Sequence, residues 1–189
     1  MKKFAALCLS ATLAASLLAG CGSASSAPAP SQPADSASVS QQASSAAAPA
    51  SSKNLADVLS AIEAVNPIVN PLQFETHEDE IFTLENEVLL TMGNVDDFAI
   101  KKSNNQGDSG TILVIHAAAG KAGDVKAELA AYQEAQINYW GNYAEFADAQ
   151  ANAKEGRVIE KGDYVVLVFA SLENADYAAI DKAVDEALS

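Results

Sequence analysis

Residues 157–170 read RVIEKGDYVVLVFA, a short apolar run, a tight turn and a longer apolar run in direct succession. Valine, isoleucine and aromatic side chains dominate both runs, which is typical of β-strands. Gly162 and Asp163 lie between them, and both residue types tolerate the backbone angles of a hairpin turn. The stretch therefore predicts a β-hairpin with strands over residues 157–160 and 164–170.

The same order of elements occurs earlier in the chain. Residues 97–103 (DFAIKKS) and 111–118 (TILVIHAA) predict two strands, joined by the polar segment NNQGDSG. Each hairpin precedes a segment with apolar residues at helical spacing, first Val125, Leu129, Tyr132, Gln136 and Tyr139, then Tyr177, Ile180, Val184 and Leu188. Two hairpin-then-helix units predict an α+β fold, a two-layer sandwich of a four-stranded antiparallel sheet with helices on one face.

Two amphipathic helices are predicted before the sheet. Asn54 is a good N-cap for the first, whose apolar side recurs at helical spacing until Asn66 and Pro67 end it. The second occupies the segment THEDEIFTLENEVLLTMGN, with Gly93 as the expected stop. Its apolar face comprises Ile81, Leu84, Val88 and Met92.

The first twenty residues have the layout of a secretory signal peptide, a charged start followed by an apolar stretch that ends in small residues. Leu18, Ala19 and Gly20 precede Cys21 and resemble a bacterial lipobox, which implies cleavage after Gly20 and a diacylglyceryl group on Cys21. Two acyl chains suffice to hold a protein at a membrane surface. The mature chain is expected outside the cell, lipid-anchored to the outer face of the cytoplasmic membrane. The alternative is an ordinary signal peptide that releases a secreted protein with a free thiol.

Composition divides the remainder into a tether and one domain. Residues 21–52 follow the cleavage site with Cys21 and a tract rich in Ser, Ala and Pro, which cannot bury enough apolar surface to fold and is expected to be disordered. Residues 53–189 form a single predicted domain with nine basic and 24 acidic side chains, a net charge of −15. This negative field disfavours nucleic acid as a partner and favours cations or basic peptides.

No catalytic or metal-binding residues are predicted. The GDSG at residues 107–110 matches the surroundings of a serine-protease nucleophile, but Gly162 and Asp163 recur at the equivalent turn without a serine. Turn chemistry therefore explains Ser109 better than catalysis does. His77 and His116 have no third partner at metal-ligand spacing, and no cofactor is expected.

The aromatic cluster in QINYWGNYAEF is the best candidate for ligand contact. Tyr139, Trp140, Tyr143 and Phe146 lie around Gly141, which is expected to end the helix. These rings either continue the core stripe or form an exposed platform for stacking against a sugar or peptide. Trp140 lies slightly off the stripe and is expected to be the most exposed. Trp140 and Tyr143 are the candidate ligand contacts.

These motifs together resemble a family of small Gram-positive lipoproteins, domain of unknown function 4358. The resemblance spans about residues 54–189 and rests on the lipobox, the tether, FAIKKS, TILVIHA, the helix with Gln136 and the aromatic cluster, and EKGDYVVLVFAS. It implies an envelope location and supplies no catalytic residues.

Two functions fit this sequence. The first is a non-catalytic accessory module at the membrane surface that binds a small ligand, a wall component or another envelope protein. The alternative is a small envelope hydrolase acting on wall or peptide material. It would need clustered carboxylates, and with 24 acids in the domain the sequence cannot select a pair.

Overall fold

The computed structural model of the chain describes residues 53–171 and 175–189. The predicted signal peptide, the Leu18 to Cys21 motif and the tether lie outside the described residues. Within the described ranges, no helix is both long and apolar enough to cross a membrane.

Five α-helices and four β-strands are present in the described part of the chain. The helices are α1 (Leu55–Glu63), α2 (His77–Thr83), α3 (Ala122–Gly141), α4 (Ala147–Glu155) and α5 (Tyr177–Ala187). The strands are β1 (Val95–Lys102), β2 (Thr111–Ala117), β3 (Arg157–Lys161) and β4 (Tyr164–Phe169). A π-helical turn (Leu84–Val88) continues α2, and short 3₁₀ turns precede β1 and α4.

The four strands form one antiparallel sheet in the order β1-β2-β4-β3. Both predicted hairpins are present, and their second strands, β2 and β4, pair at the centre, where Leu113 lies opposite Leu167 and Val114 opposite Val166. Gly162 closes the second hairpin with a φ of +60°, a backbone angle that glycine adopts without steric cost. The predicted α+β class and four-stranded antiparallel sheet are confirmed.

The helices cover both faces of this sheet, so the predicted two layers are in fact three. Leu113 and Ile115 point into a core formed with α3, while Ile112 and Val114 point into a second core formed with α1 and α5. Successive side chains of a strand point to opposite faces, so a strand buried along its whole length needs cover on both. The helix of the second hairpin unit therefore packs on the face opposite to that of the first.

The second predicted helix ends earlier than Gly93. Leu89 adopts a left-handed conformation with φ +64° and turns the chain, and the Leu90 N–H donates to the Leu84 carbonyl at 2.9 Å. Leu89 itself is 69% exposed, whereas Leu90 is buried in the α3 core. Burial of Leu90 offsets the cost of roughly 1–2 kcal/mol for a left-handed non-glycine residue.

Candidate functional site

A cavity of about 400 Å³ lies between the β1–β2 loop and α3, a volume within the usual range for small-molecule sites. We call it the loop cavity. The end of β1, the loop itself and the first residue of β2 form one side, and Tyr132, Gln136 and Trp140 of α3 form the other. Leu72 and Glu87 complete its wall.

The loop holds its conformation through its own hydrogen bonds. Gly107 has a φ of +85°, and the Asp108 carboxylate accepts from the Gly110 N–H at 2.8 Å. The Thr111 hydroxyl donates to the Ser109 carbonyl at 3.1 Å. These contacts place Ser109, Gly110 and Thr111 at the buried floor of the loop cavity, while Asn104, Asn105 and Gln106 form an exposed rim.

Three side chains of α3 reach the loop cavity because they recur at intervals of four residues and so share one helix face. Tyr132 lies deepest and packs its ring 6.0 Å from that of Phe169. Gln136 and Trp140, one and two turns further on, are half-buried. The helix thus presents a phenol, an amide and an indole in order along the cavity wall.

Two buried polar groups at the loop cavity have no hydrogen-bond partner within the described residues: the Ser109 hydroxyl and the Trp140 indole Nε1–H. Ser109 is only 6% exposed. Buried polar groups are nearly always paired, because an unpaired one costs about 1–3 kcal/mol. Both residues line the loop cavity, but the two polar atoms themselves are shielded from solvent, so a molecule bound there would pair with them only after the side chains turn toward it.

The ionisable groups of the cavity wall are already partnered. The Lys102 ammonium pairs with the Glu87 carboxylate, and the Asp108 carboxylate binds the loop backbone. Burial, and secondarily the negative charge of Glu87, raises the pKa of the Tyr132 phenol well above its usual value. Tyr132 is therefore a neutral hydroxyl at physiological pH, able both to donate and to accept.

Four aromatic rings form a ledge beside the loop cavity, here called the aromatic ledge: Tyr139, Trp140, Tyr143 and Phe146. Their centroids lie 4.9 to 5.8 Å apart in edge or tilted contacts. The Phe146 ring covers Gly107, where an added Cβ would lie 2.8 Å from a ring carbon. Trp140 belongs to both structures, so the aromatic ledge continues directly into the cavity wall.

Exposure within the aromatic ledge differs from the prediction. Tyr139 is 50% exposed and Tyr143 42% exposed, whereas Trp140 and Phe146 are half-buried. The expectation that Trp140 would be the most exposed ring is wrong, because the rings of Tyr139 and Phe146 pack against the indole. Gly141 does end α3, as predicted.

The surroundings of Ser109 contain neither histidine. His77 stacks on Phe98 with ring centroids 5.1 Å apart, and His116 lies 4.9 Å from the Tyr164 ring. Neither is among the residues that line the loop cavity. Within residues 53–171 and 175–189, no group of three His, Cys, Asp or Glu side chains is placed to hold a metal ion.

Ser109, Tyr132 and Gln136 were not predicted as site residues. The sequence signal for this loop is its length. Eight residues separate β1 from β2, whereas two separate β3 from β4. Loops longer than a hairpin requires often carry function. The four-residue spacing of Tyr132, Gln136 and Trp140 is also visible in the sequence, but only the fold shows that this helix face meets the loop.

A family model described as domain of unknown function (DUF4358) matches residues 90–170. The predicted resemblance is confirmed over this segment, which contains all four strands, α3 and α4, and most of the loop cavity. Comparisons with curated proteins and with solved structures gave no match.

Proposed function

We propose that this chain is a lipid-anchored extracytoplasmic protein whose domain is a non-catalytic binding module, with its ligand in the loop cavity. The main support for this proposal is that two polar groups without partners, the Ser109 hydroxyl and the Trp140 Nε1–H, belong to residues that line one cavity. The sequence features around Cys21 support the location, and the Ser, Ala and Pro composition of residues 22–52 supports a flexible link to the membrane.

The chemistry of the loop cavity favours binding over hydrolysis. Ser109 has no histidine beside it to act as a base, and the two carboxylates of the wall are both occupied, Glu87 by Lys102 and Asp108 by the Gly110 N–H. A hydrolase of the two-carboxylate type needs one acid to donate a proton and the other to attack or to activate water. Occupied carboxylates are poor candidates for either task.

Replacing Cys21 by serine is expected to release the protein from membranes, because a serine hydroxyl cannot take the thioether-linked lipid. The measurement is the fraction of the full chain that sediments with membranes, together with the mass of its N-terminal peptide. Cys8→Ser is the matched control, since Cys8 is the other of the chain's two cysteines and lies in the predicted leader. Equal membrane fractions for both variants, or an unmodified Cys21 in the native protein, would contradict the anchor.

Binding at the loop cavity is tested by a photo-crosslinking residue placed at Gln106 in the full chain and irradiated in cells. Gln106 is exposed on the cavity rim, so an adduct on intact-mass analysis is expected from this position. The control position is Lys182 on α5, which is also exposed and belongs to the opposite helical layer. The proposal fails if position 106 gives no adduct, or none beyond those of position 182.

A further inference from the structure

The charge of the loop cavity restricts its ligand. Lys102 is the single cationic side chain among the described residues that line it, and Glu87 already neutralises that ammonium. An anionic ligand would have to break this ion pair and approach Asp108 in a domain of net charge −15. A cationic ligand could pair with Asp108, whose charge the Gly110 N–H does not neutralise. The charge of the wall therefore disfavours an anion, and the other polar groups and the aromatic rings decide between a cation and an uncharged molecule.

The other polar groups of the cavity wall are neutral and mixed in hydrogen-bonding character. The Trp140 Nε1–H is a donor, while the Ser109 and Tyr132 hydroxyls each donate and accept. The amides of Gln136 and Gln106 also offer both roles. Sugar hydroxyls are donors and acceptors at once, so they can pair with every group of such a set.

The aromatic ledge supplies the apolar part of the same site. Tyr139 and Tyr143 are 50% and 42% exposed, and the Tyr139 ring contacts both Trp140 and Tyr143. A pyranose ring has an apolar face of C–H groups that packs on aromatic rings while its hydroxyls point outward. An aromatic surface that leads into a neutral polar cavity matches this amphipathic shape.

A peptide fits less well, because the backbone edge beside the cavity is occupied. The Leu72 N–H donates to the Lys102 carbonyl at 2.8 Å, and Pro71 pairs with Ser103. An extended peptide usually binds by adding a strand to a free sheet edge. Residues 71–72 already take that place at the end of β1.

We propose that the loop cavity and the aromatic ledge form a subsite for a neutral saccharide. In this assignment, which rests on the proposed binding function, a ring stacks on the aromatic ledge and its hydroxyls pair with the Trp140 Nε1–H and the Ser109 Oγ once these two side chains turn toward the cavity. The geometry requires no covalent step.

Trp140 is the chain's single tryptophan, so its fluorescence reports on this site alone. The full chain is titrated with maltotriose, cellotriose and tri-N-acetylglucosamine, and in parallel with trigalacturonate, trilysine and tetramethylammonium. At least one neutral trisaccharide is expected to shift the emission saturably, while the charged probes leave it unchanged.

Ser109→Ala is expected to raise the dissociation constant of that saccharide roughly three- to tenfold, which is the effect of losing one neutral hydrogen bond. Ser60→Ala, an exposed serine in α1 on the opposite face, is the matched control and should leave the dissociation constant unchanged. A response to charged probes alone, or to no probe, overturns the saccharide assignment. If position 106 forms adducts but no saccharide changes the Trp140 emission, the ligand class is rejected and the binding function is retained. If position 106 forms no adducts and no saccharide changes the emission, both proposals are rejected.

Discussion

Replacing Val114 by aspartate is expected to unfold the domain, and replacing its neighbour Leu113 by aspartate is expected to do the same. Each side chain is fully buried, but they point to opposite faces of the sheet, Leu113 toward α3 and Val114 toward α1 and α5. An unpaired carboxylate in either core costs several kcal/mol, and a domain of this size has a total stability of only about 5–15 kcal/mol. Circular dichroism in a urea titration would measure the loss of stability in each variant.

The pair of variants distinguishes three layers from two. In a two-layer sandwich one of the two positions would face water, and its aspartate would change the free energy of unfolding by at most about 0.5 kcal/mol. Val69→Asp is the matched control, because Val69 is 44% exposed and should tolerate the same change. If either Leu113→Asp or Val114→Asp retained the stability of the Val69 control, the arrangement of helices on both faces would be refuted.

The sequence predicted the sheet because its signals are local. Apolar runs of β-branched residues and the Gly162 turn are contained within about fifteen residues, and both hairpins formed as expected. The number of layers is not a local property. Yet β2 and β4 are apolar without alternation, and this pattern indicates cover on both faces of the sheet.

Tertiary packing explains why the second helix was predicted to be too long. The apolar spacing of Leu84, Val88 and Met92 is compatible with a continuous helix to Gly93. The chain turns at Leu89 instead, because Leu90 then reaches the core on the α3 side. A left-handed leucine is unfavourable on its own, so no local signal could have placed the turn there.

The aromatic cluster could be found in the sequence, but its exposure could not. The stripe on α3 is buried at Leu129 and Tyr132, half-buried at Gln136 and exposed at Tyr139. A helix of 20 residues is about 30 Å long, whereas a seven-residue strand such as β2 is about 23 Å long. The last turns of α3 therefore extend past the strand, and the rings there form the aromatic ledge rather than core.

Replacing Phe169 by alanine is expected to lower the free energy of unfolding by about 3–5 kcal/mol, because the ring is fully buried and its removal leaves a cavity in the core. Phe82→Ala removes the same ring from a position that is 62% exposed and should cost about 0.5 kcal/mol or less. Urea denaturation of both variants gives the comparison. Similar losses at the two positions would contradict the placement of Phe169.

The same ring should also couple to Gly156. An added Cβ at Gly156 would overlap the Phe169 ring and lie 2.7 Å from its Cε1, although the backbone there, φ −51° and ψ 154°, is open to alanine. Gly156→Ala alone is therefore expected to cost about 1–3 kcal/mol, the range for overpacking. In a chain that already carries Phe169→Ala the overlap with the ring is gone and only the 3.1 Å contact with the Ala153 carbonyl oxygen remains, so the cost of the added methyl group should fall. A double-mutant cycle in urea measures this coupling. Additive effects would show that the two residues do not touch.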